Sequence, residues 1–282
     1  MHKQVGLIGI GLLGSAIADR LKESGLDVHG FDVVPTRRAN VAHGRETPQD
    51  VFDACDVVVL SLPTSQIVQE ALTSAQLRSD QLVIDTTTGE PDEMVDIAKQ
   101  VGQHSAVYAE ATVAGSSKQM RAGRATMFLG CDPESLDRVQ SVTSLLSSQC
   151  FHLGGVGAAS RFKLIHNLIL GLNRAVLAEG LTFAESLGFD SAQTLEILQQ
   201  TPAVSGVMAT KGRKMVDGDY ETQAKLSQHL KDVRLILREA SKRNAPSPLS
   251  EVHATLLEVC EQLGFGDRDN SAVIEAFRDK TR

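Results

Sequence analysis

Gly9, Gly11 and Gly14 stand in the spacing G-x-G-x-x-G within GLIGIGLLGSAIA, residues 6–18. Each position has a use if a dinucleotide sits here. Gly9 permits a tight turn, Gly11 lets the backbone approach a diphosphate, and Gly14 lets a helix pack close to a strand. Ile10, Leu12 and Leu13, between the glycines, join that binding set, because the free N–H groups of a helix N-terminus attract negative charge. A second chemical signal lies far along the chain. Lys163 and Asn167 are four residues apart in the apolar stretch FKLIHNLIL, so they share one helical face. A lysine and an asparagine there need a polar partner, or else belong to a solvated stripe that Arg174 continues. His166 beside them is a rival base or a packed side chain. The adjacent pair Lys231-Asp232 sits in a third apolar pattern, and i,i+1 neighbours on a helix are expected to have different partners.

These residues must be positioned by regular elements. A strand-like run, Val5–Ile10, precedes the glycines, and Leu13, Ile17 and Leu21 follow at helical spacing. The next apolar run, Asp27–Phe31, ends in Asp32, 18 residues past Gly14, where a ribose-binding carboxylate belongs. Its charge repels a 2′-phosphate and favours NAD, while Arg37 and Arg38 keep NADP possible. Further strands are expected at Val57–Leu62, Leu82–Thr86, Val107–Val113 and Thr126–Cys131, alternating with helices as in a parallel sheet. Ligands of such sheets bind at the carboxyl ends of the strands. Those ends carry Leu62-Pro63-Thr64, the hydroxyl run Thr86-Thr87-Thr88, and the small residues Ala114-Gly115-Ser116. Pro63 also reads as a strand terminator, the threonines as a cap for a helix begun by Pro91, and Ala114–Ser116 as a tight loop.

At about residue 155 strand-like runs stop and helical periodicity continues to the end. Residues 158–187 contain no proline and precede Gly188, which predicts one helix about 45 Å long. Shorter helices are expected over 191–201, 204–216, 221–243, 248–263 and 271–280. The fold class is therefore an α/β Rossmann domain with a doubly wound, parallel-rich sheet over 1–157. A long helix joins it to an all-α domain over 158–282.

The chain has 282 residues, 42% hydrophobic and 22% charged, which suits two globular domains. A net charge of −7 argues against a nucleic-acid partner, and no apolar run is long enough for a bilayer span. Residues 5–18 with Ala16-Ile17-Ala18 imitate a secretory leader, but four glycines make a poor leader helix and the segment has its own structural use. The cysteines are scattered and the histidines lack ligand spacing, so no metal is expected and a reducing cytoplasm is.

Taken together, these stretches resemble the β-hydroxyacid dehydrogenase family, 3-hydroxyisobutyrate dehydrogenase and its relatives, along nearly the whole chain. GLIGIGLLGSAIA resembles the family's cofactor signature and LSLPTS (60–65) its "LP" loop. DTTTGEP (85–91) resembles the element that places Thr88 by the nicotinamide ribose. EATVAGSSKQMRAGRATMFLG (110–130) is similar to its substrate loop, and GVGAASRFKLIHN (155–167) to its catalytic helix. The resemblance implies Lys163 as the catalytic lysine and Asn167 as a substrate-binding partner. It implies that Ala114, Gly115 and Ser116 bind substrate. From HLKDVRLIL (229–237) it implies that Lys231 approaches the cofactor and Asp232 supports the site. Ala114 replaces the family's serine, and Glu110 and Thr112 replace its aspartate and proline.

The expected activity is hydride transfer between NAD, or NADP, and a small carboxylate-bearing 3-hydroxy acid. Lys163 acts as general acid and base, and the backbone N–H groups of Gly115 and Ser116 receive the carboxylate. The alternatives are an NADPH-dependent glyoxylate, semialdehyde or imine reductase, or a cofactor-binding module without catalysis. The helical half is expected to assemble the chain into a homodimer or homotetramer.

Overall fold

The computed structural model describes residues 3–278. The chain divides into two compact units, 1–163 and 164–282. The first alternates strands and helices in chain order: β1 (Gln4–Ile8), α1 (Leu12–Glu23), β2 (Asp27–Phe31), α2 (Pro35–Arg38), β3 (His43–Gly44), α3 (Pro48–Ala54), β4 (Val57–Leu60), α4 (Ser65–Thr73), β5 (Leu82–Asp85), α5 (Pro91–Gln103), β6 (Val107–Ala114), α6 (Ser117–Arg121), β7 (Thr126–Gly130), α7 (Leu136–Leu146) and β8 (Gln149–His152). The eight strands form one sheet in the order β3-β2-β1-β4-β5-β6-β7-β8. Every pairing is parallel except β6 with β7.

The strands are apolar on both faces because both faces are covered. Val5, Leu7, Val57, Val59, Leu82 and Ile84 pack on the side of α1 and α7. Ile8, Val58, Leu60 and Val83 alternate with them and pack with Val51, Met94 and Ile97 on the other side. Register then aligns the strand ends. Phe31 pairs with Ile8, Ile8 with Leu60, Leu60 with Asp85, and Asp85 with Glu110. The order reverses between β1 and β4, so the loops after Ile8 and Leu60 flank the topological switch point.

All six expected strands form, each ending within two residues of its expected limit. β3 and β8 were not expected. β3 is a two-residue exposed edge and β8 has only half-buried or exposed residues, so neither carries an apolar run.

The second unit is helical. The long helix α8 (Ala158–Ser186) begins in the first unit and continues into it. α9 (Ser191–Leu198), α10 (Arg213–Asp217), α11 (Leu226–Lys242), α12 (Pro248–Gln262) and α13 (Glu275–Arg278) follow. Leu177, Leu181, Leu195, Leu226, Leu230 and Leu257 are central to its core. The helix expected over 204–216 is a π-helical turn, Met208–Gly212, leading into α10. The one expected over 271–280 is a 3₁₀ turn, Asn270–Ile274, and then α13; residues 279–280 lie outside the described chain. Among the described residues no helix is long and apolar enough to cross a membrane.

Candidate active site

The glycine loop divides its labour as the spacing requires. Gly9 has φ +93°, and a Cβ there would stand 2.3 Å from the Ser61 carbonyl. A Cβ on Gly14 would stand 1.9 Å from the Gly9 carbonyl, so only glycine lets α1 sit this close to β1. Around Gly11 a Cβ would meet nothing within 4 Å, which leaves open space at the start of α1. No side chain caps α1, and its first N–H groups lack intrahelical acceptors. Open space against free helical N–H groups fits a diphosphate, so Gly9–Gly14 fit a dinucleotide.

Asp32 is buried beside this loop. Its Oδ2 accepts from the Ile10 N–H at 2.7 Å and its Oδ1 from the Val34 N–H at 2.8 Å. The acid therefore ties the glycine loop to the end of β2, and its remaining lone pairs stay available to ribose hydroxyls. Arg37 leans toward the same carboxylate at 3.5 Å. Arg38 donates to the Asp32 carbonyl, pairs with Glu46 at 2.5 Å and lies over Phe31.

The next two strand ends are joined by the threonine run. Thr86 Oγ1 donates to the Leu60 carbonyl at 2.8 Å, and Thr87 Oγ1 accepts from the Leu62 N–H at 3.2 Å. Both threonines are buried in holding β4 to β5, and Glu90, not a threonine, precedes Pro91 at the start of α5. Thr88 is the half-buried member of the run. Pro63 lies in the same loop, and Thr64 caps α4 through its hydroxyl. Behind this loop stands Asp85, which accepts from Tyr108 Oη at 2.6 Å and from the Thr87 N–H at 2.8 Å. Burial pushes its carboxyl up to about 6, against the lowering effect of those hydrogen bonds.

Ala114 closes β6, and Gly115 after it is exposed. Ser116 caps α6 reciprocally with Gln119. The Ser116 N–H donates to Gln119 Oε1 at 2.8 Å, and the Gln119 N–H donates to Ser116 Oγ at 3.2 Å. A carboxylate reaching the Ser116 N–H competes with that bond; the exposed backbone of Gly115 is the more open position.

On α8, Lys163 is 7% and Asn167 6% exposed, so their face is buried and not a solvated stripe. Arg174, three turns on, is buried too. Asn167 Nδ2 donates to Asp232 Oδ2 at 2.9 Å, joining α8 to α11. Lys231 Nζ lies 3.0 Å from Asp232 Oδ1. That corrects the expectation of separate partners for Lys231 and Asp232: the lysine stem is long enough to fold back onto its neighbour. His166 Nδ1 lies 3.1 Å from Asn167 Oδ1, which makes His166 a support for Asn167. The structure thus brings together Asn167, Lys231 and Asp232 in one unit, and Gly9–Gly14, Asp32, Leu62–Thr64 and Thr88 along one sheet edge in the other.

One polar residue went unremarked as a site element. Glu110 is 0% exposed on β6, and its carboxylate accepts from the Gly157 N–H, the Ser160 N–H and the Ser160 hydroxyl at the start of α8. A charged residue inside the strand pattern VYAEATVA was the available signal.

Comparison with known proteins agrees with this geometry. Residues 4–154 match the NAD binding domain of 6-phosphogluconate dehydrogenase. Residues 157–277 match a domain described as NAD-binding of NADP-dependent 3-hydroxyisobutyrate dehydrogenase. The chain is 28% identical to 2-(hydroxymethyl)glutarate dehydrogenase of Eubacterium barkeri, over 99% of this chain and 96% of that protein. It is 26% identical to the chloroplastic glyoxylate/succinic semialdehyde reductase 2 of Arabidopsis thaliana, over 97% of this chain and 79% of that one. The fold is that of a 3-hydroxyisobutyrate dehydrogenase from Salmonella typhimurium, with a TM-score of 0.90, 22% identity and coverage of 96% and 99%. On this agreement of fold, glycine loop and matched domains, the chain belongs to the β-hydroxyacid dehydrogenase family of NAD(P)-dependent oxidoreductases.

Proposed function

We infer that the substrate is a small 3-hydroxy acid and that Lys163 handles the proton of its hydroxyl. The nicotinamide cofactor supplies the site that gives or receives the hydride. Lys163 takes the hydroxyl proton as the carbon is oxidised, and returns it in reduction. For that, Lys163 must lose its own proton first. In its charged form it steadies the developing alkoxide. Asn167, fixed by Asp232, presents its amide to the substrate, and the Gly115 backbone receives the carboxylate. The observation that carries this reading is the burial of Lys163 and Asn167 on one face of α8, with Asn167 bonded to Asp232.

The similarity to 2-(hydroxymethyl)glutarate dehydrogenase supports a substrate whose hydroxymethyl group is next to a carboxylate-bearing carbon. Asp32 supports NAD over NADP. The similarity to a glyoxylate/succinic semialdehyde reductase favours a second reading, reduction of an aldehyde acid. Comparing rates with NADH and NADPH on glyoxylate and succinic semialdehyde separates the two. The four free thiols support a cytoplasmic site, and an exposed apolar stripe on α8 supports a homodimer.

The test is Lys163→Ala. The expected result is a fall in kcat of about 10²–10⁴-fold with NADH affinity, read by fluorescence titration, unchanged. Wild-type kcat in this variant overturns the role of Lys163.

A further inference from the structure

The N-terminus of α8 is not capped from its own sequence. Gly157, which precedes the helix, has no side chain, and its carbonyl accepts the first helical bond from the Arg161 N–H at 3.1 Å. The Ala158 N–H donates back to the Gly155 carbonyl at 3.1 Å, and two further donors at this end are met from another element. Glu110 Oε2 accepts from the Gly157 N–H at 2.5 Å. Its Oε1 accepts from the Ser160 N–H at 3.3 Å and from the Ser160 hydroxyl. One carboxylate on β6 thus does for α8 what a capping aspartate does within a helix, from about fifty residues away in sequence. Room for it comes from Gly130, its pairing partner on β7. A Cβ at Gly130 would stand 2.5 Å from Glu110 Oε2 and 3.2 Å from Ala159. Lys163 follows one helical turn after Ser160.

We propose that Glu110 is a positioning residue for the reaction: its carboxylate, clasping the first turn of α8 against the sheet, sets the place of Lys163. This rests on the reading of Lys163 as the acid and base. The ionised carboxylate accepts all three as charge-assisted bonds; protonation weakens the set, and an amide must turn its NH2 toward the Gly157 N–H or the Ser160 N–H. Burial pushes the Glu110 carboxyl up to about 7, and the neighbouring Asp85 on β5 adds to the rise. Tyr108 on the same strand interacts with its charge, and Arg161 and Lys163 follow along α8 from the turn that it clasps. Arg161 lies toward Asp92 at 3.5 Å, and β7 presents Gly130. The clasp is therefore strongest above about pH 7.

The experiment compares Glu110→Gln with wild type, measuring kcat and KM for NAD from pH 5.5 to 9 on the best 3-hydroxy acid. The expected ratio of wild-type to variant kcat rises from near one at the acid end to roughly tenfold above pH 8, with KM for NAD unchanged. A ratio independent of pH, or a loss shared equally by kcat and cofactor KM, overturns the proposal. If Glu110→Gln does not fold, Gly130→Ala serves. Its methyl displaces the same carboxylate, and unchanged kcat in that variant also overturns the proposal. Lys163→Ala separates the two readings. Full activity there removes the premise, whereas an inactive Lys163→Ala with a flat Glu110→Gln ratio removes only the role of Glu110.

Discussion

Asp32 and Asp85 show how buried carboxylates are used where a sheet meets its ligand loops. Asp32 receives one backbone N–H from the glycine loop and one from its own, so its charge organises both before any cofactor arrives. Hydrogen bonds to an ionised group contribute about 1.5–3 kcal/mol each. Asp32→Ala is therefore expected to weaken NADH binding by at least about tenfold in a fluorescence titration. An unchanged Kd would show that the loop keeps its shape without the acid. Asp85 is different because burial outweighs its hydrogen bonds and lifts its carboxyl to about 6 from an ordinary 3.8. A group with a raised folded-state pKa contributes stability that is complete below the unfolded value and is lost as pH rises through the folded one. The difference in Tm between Asp85→Asn and wild type is thus expected to shift in favour of the variant between about pH 4 and 6. Differential scanning fluorimetry across that range reads it, and a pH-independent difference refutes it.

At the scale of elements, what was legible depended on whether a signal lay within one stretch of chain. The core strands were legible because β1, β4 and β5 are apolar on both faces and bounded by turns. β3 and β8 were not, since an edge strand needs only backbone partners and carries no apolar run. That Lys163 and Asn167 share a face of α8 was legible from their four-residue spacing; that this face is buried rather than solvated was not. The bond from Asn167 to Asp232 was not, because it joins residues 65 positions apart. The same helix hides another close packing. Gly171 faces two imidazoles, and a Cβ there would stand 2.5 Å from His229 Nε2 and 2.6 Å from His253 Cε1. His253 is held neutral, its pKa lowered to about 4 chiefly by burial. Gly171→Ala gains helix propensity of about 1 kcal/mol but forces α8 away from α11 and α12. A net loss of about 1–3 kcal/mol is expected in urea unfolding. An increase in stability would mean that the two rings move aside freely.

For the whole molecule, the exposed side of α8 is the feature with the widest consequence. Leu177, Ala178 and Leu181 are buried in the helical core, but Ile165, Ile169, Val176, Phe183 and Leu187 are each 54–68% exposed. These five recur at four- and seven-residue steps, so they form one stripe along the helix. Val176 and Phe183 also flank an open groove of about 500 Å³ that Gly180 and Phe277 help to line. Exposed apolar side chains repeated along one helical face suit an interface. We propose a second copy of the chain as its occupant. Two such helices related by a two-fold axis present the same apolar face to each other, and no separate complementary patch is required. The chain's mass is 30.3 kDa, so light scattering behind a sizing column is expected to give about twice that value, or four times if dimers pair further. The double variant Val176→Glu/Phe183→Glu places two charges per chain in the seam, where burying an unpaired carboxylate costs several kcal/mol. It is expected to elute as a monomer with NADH binding retained, since the glycine loop and Asp32 belong to the other unit. Wild-type protein that scatters as a monomer at micromolar concentration rules out this interface, and a dimer that survives both charges places it on some other surface.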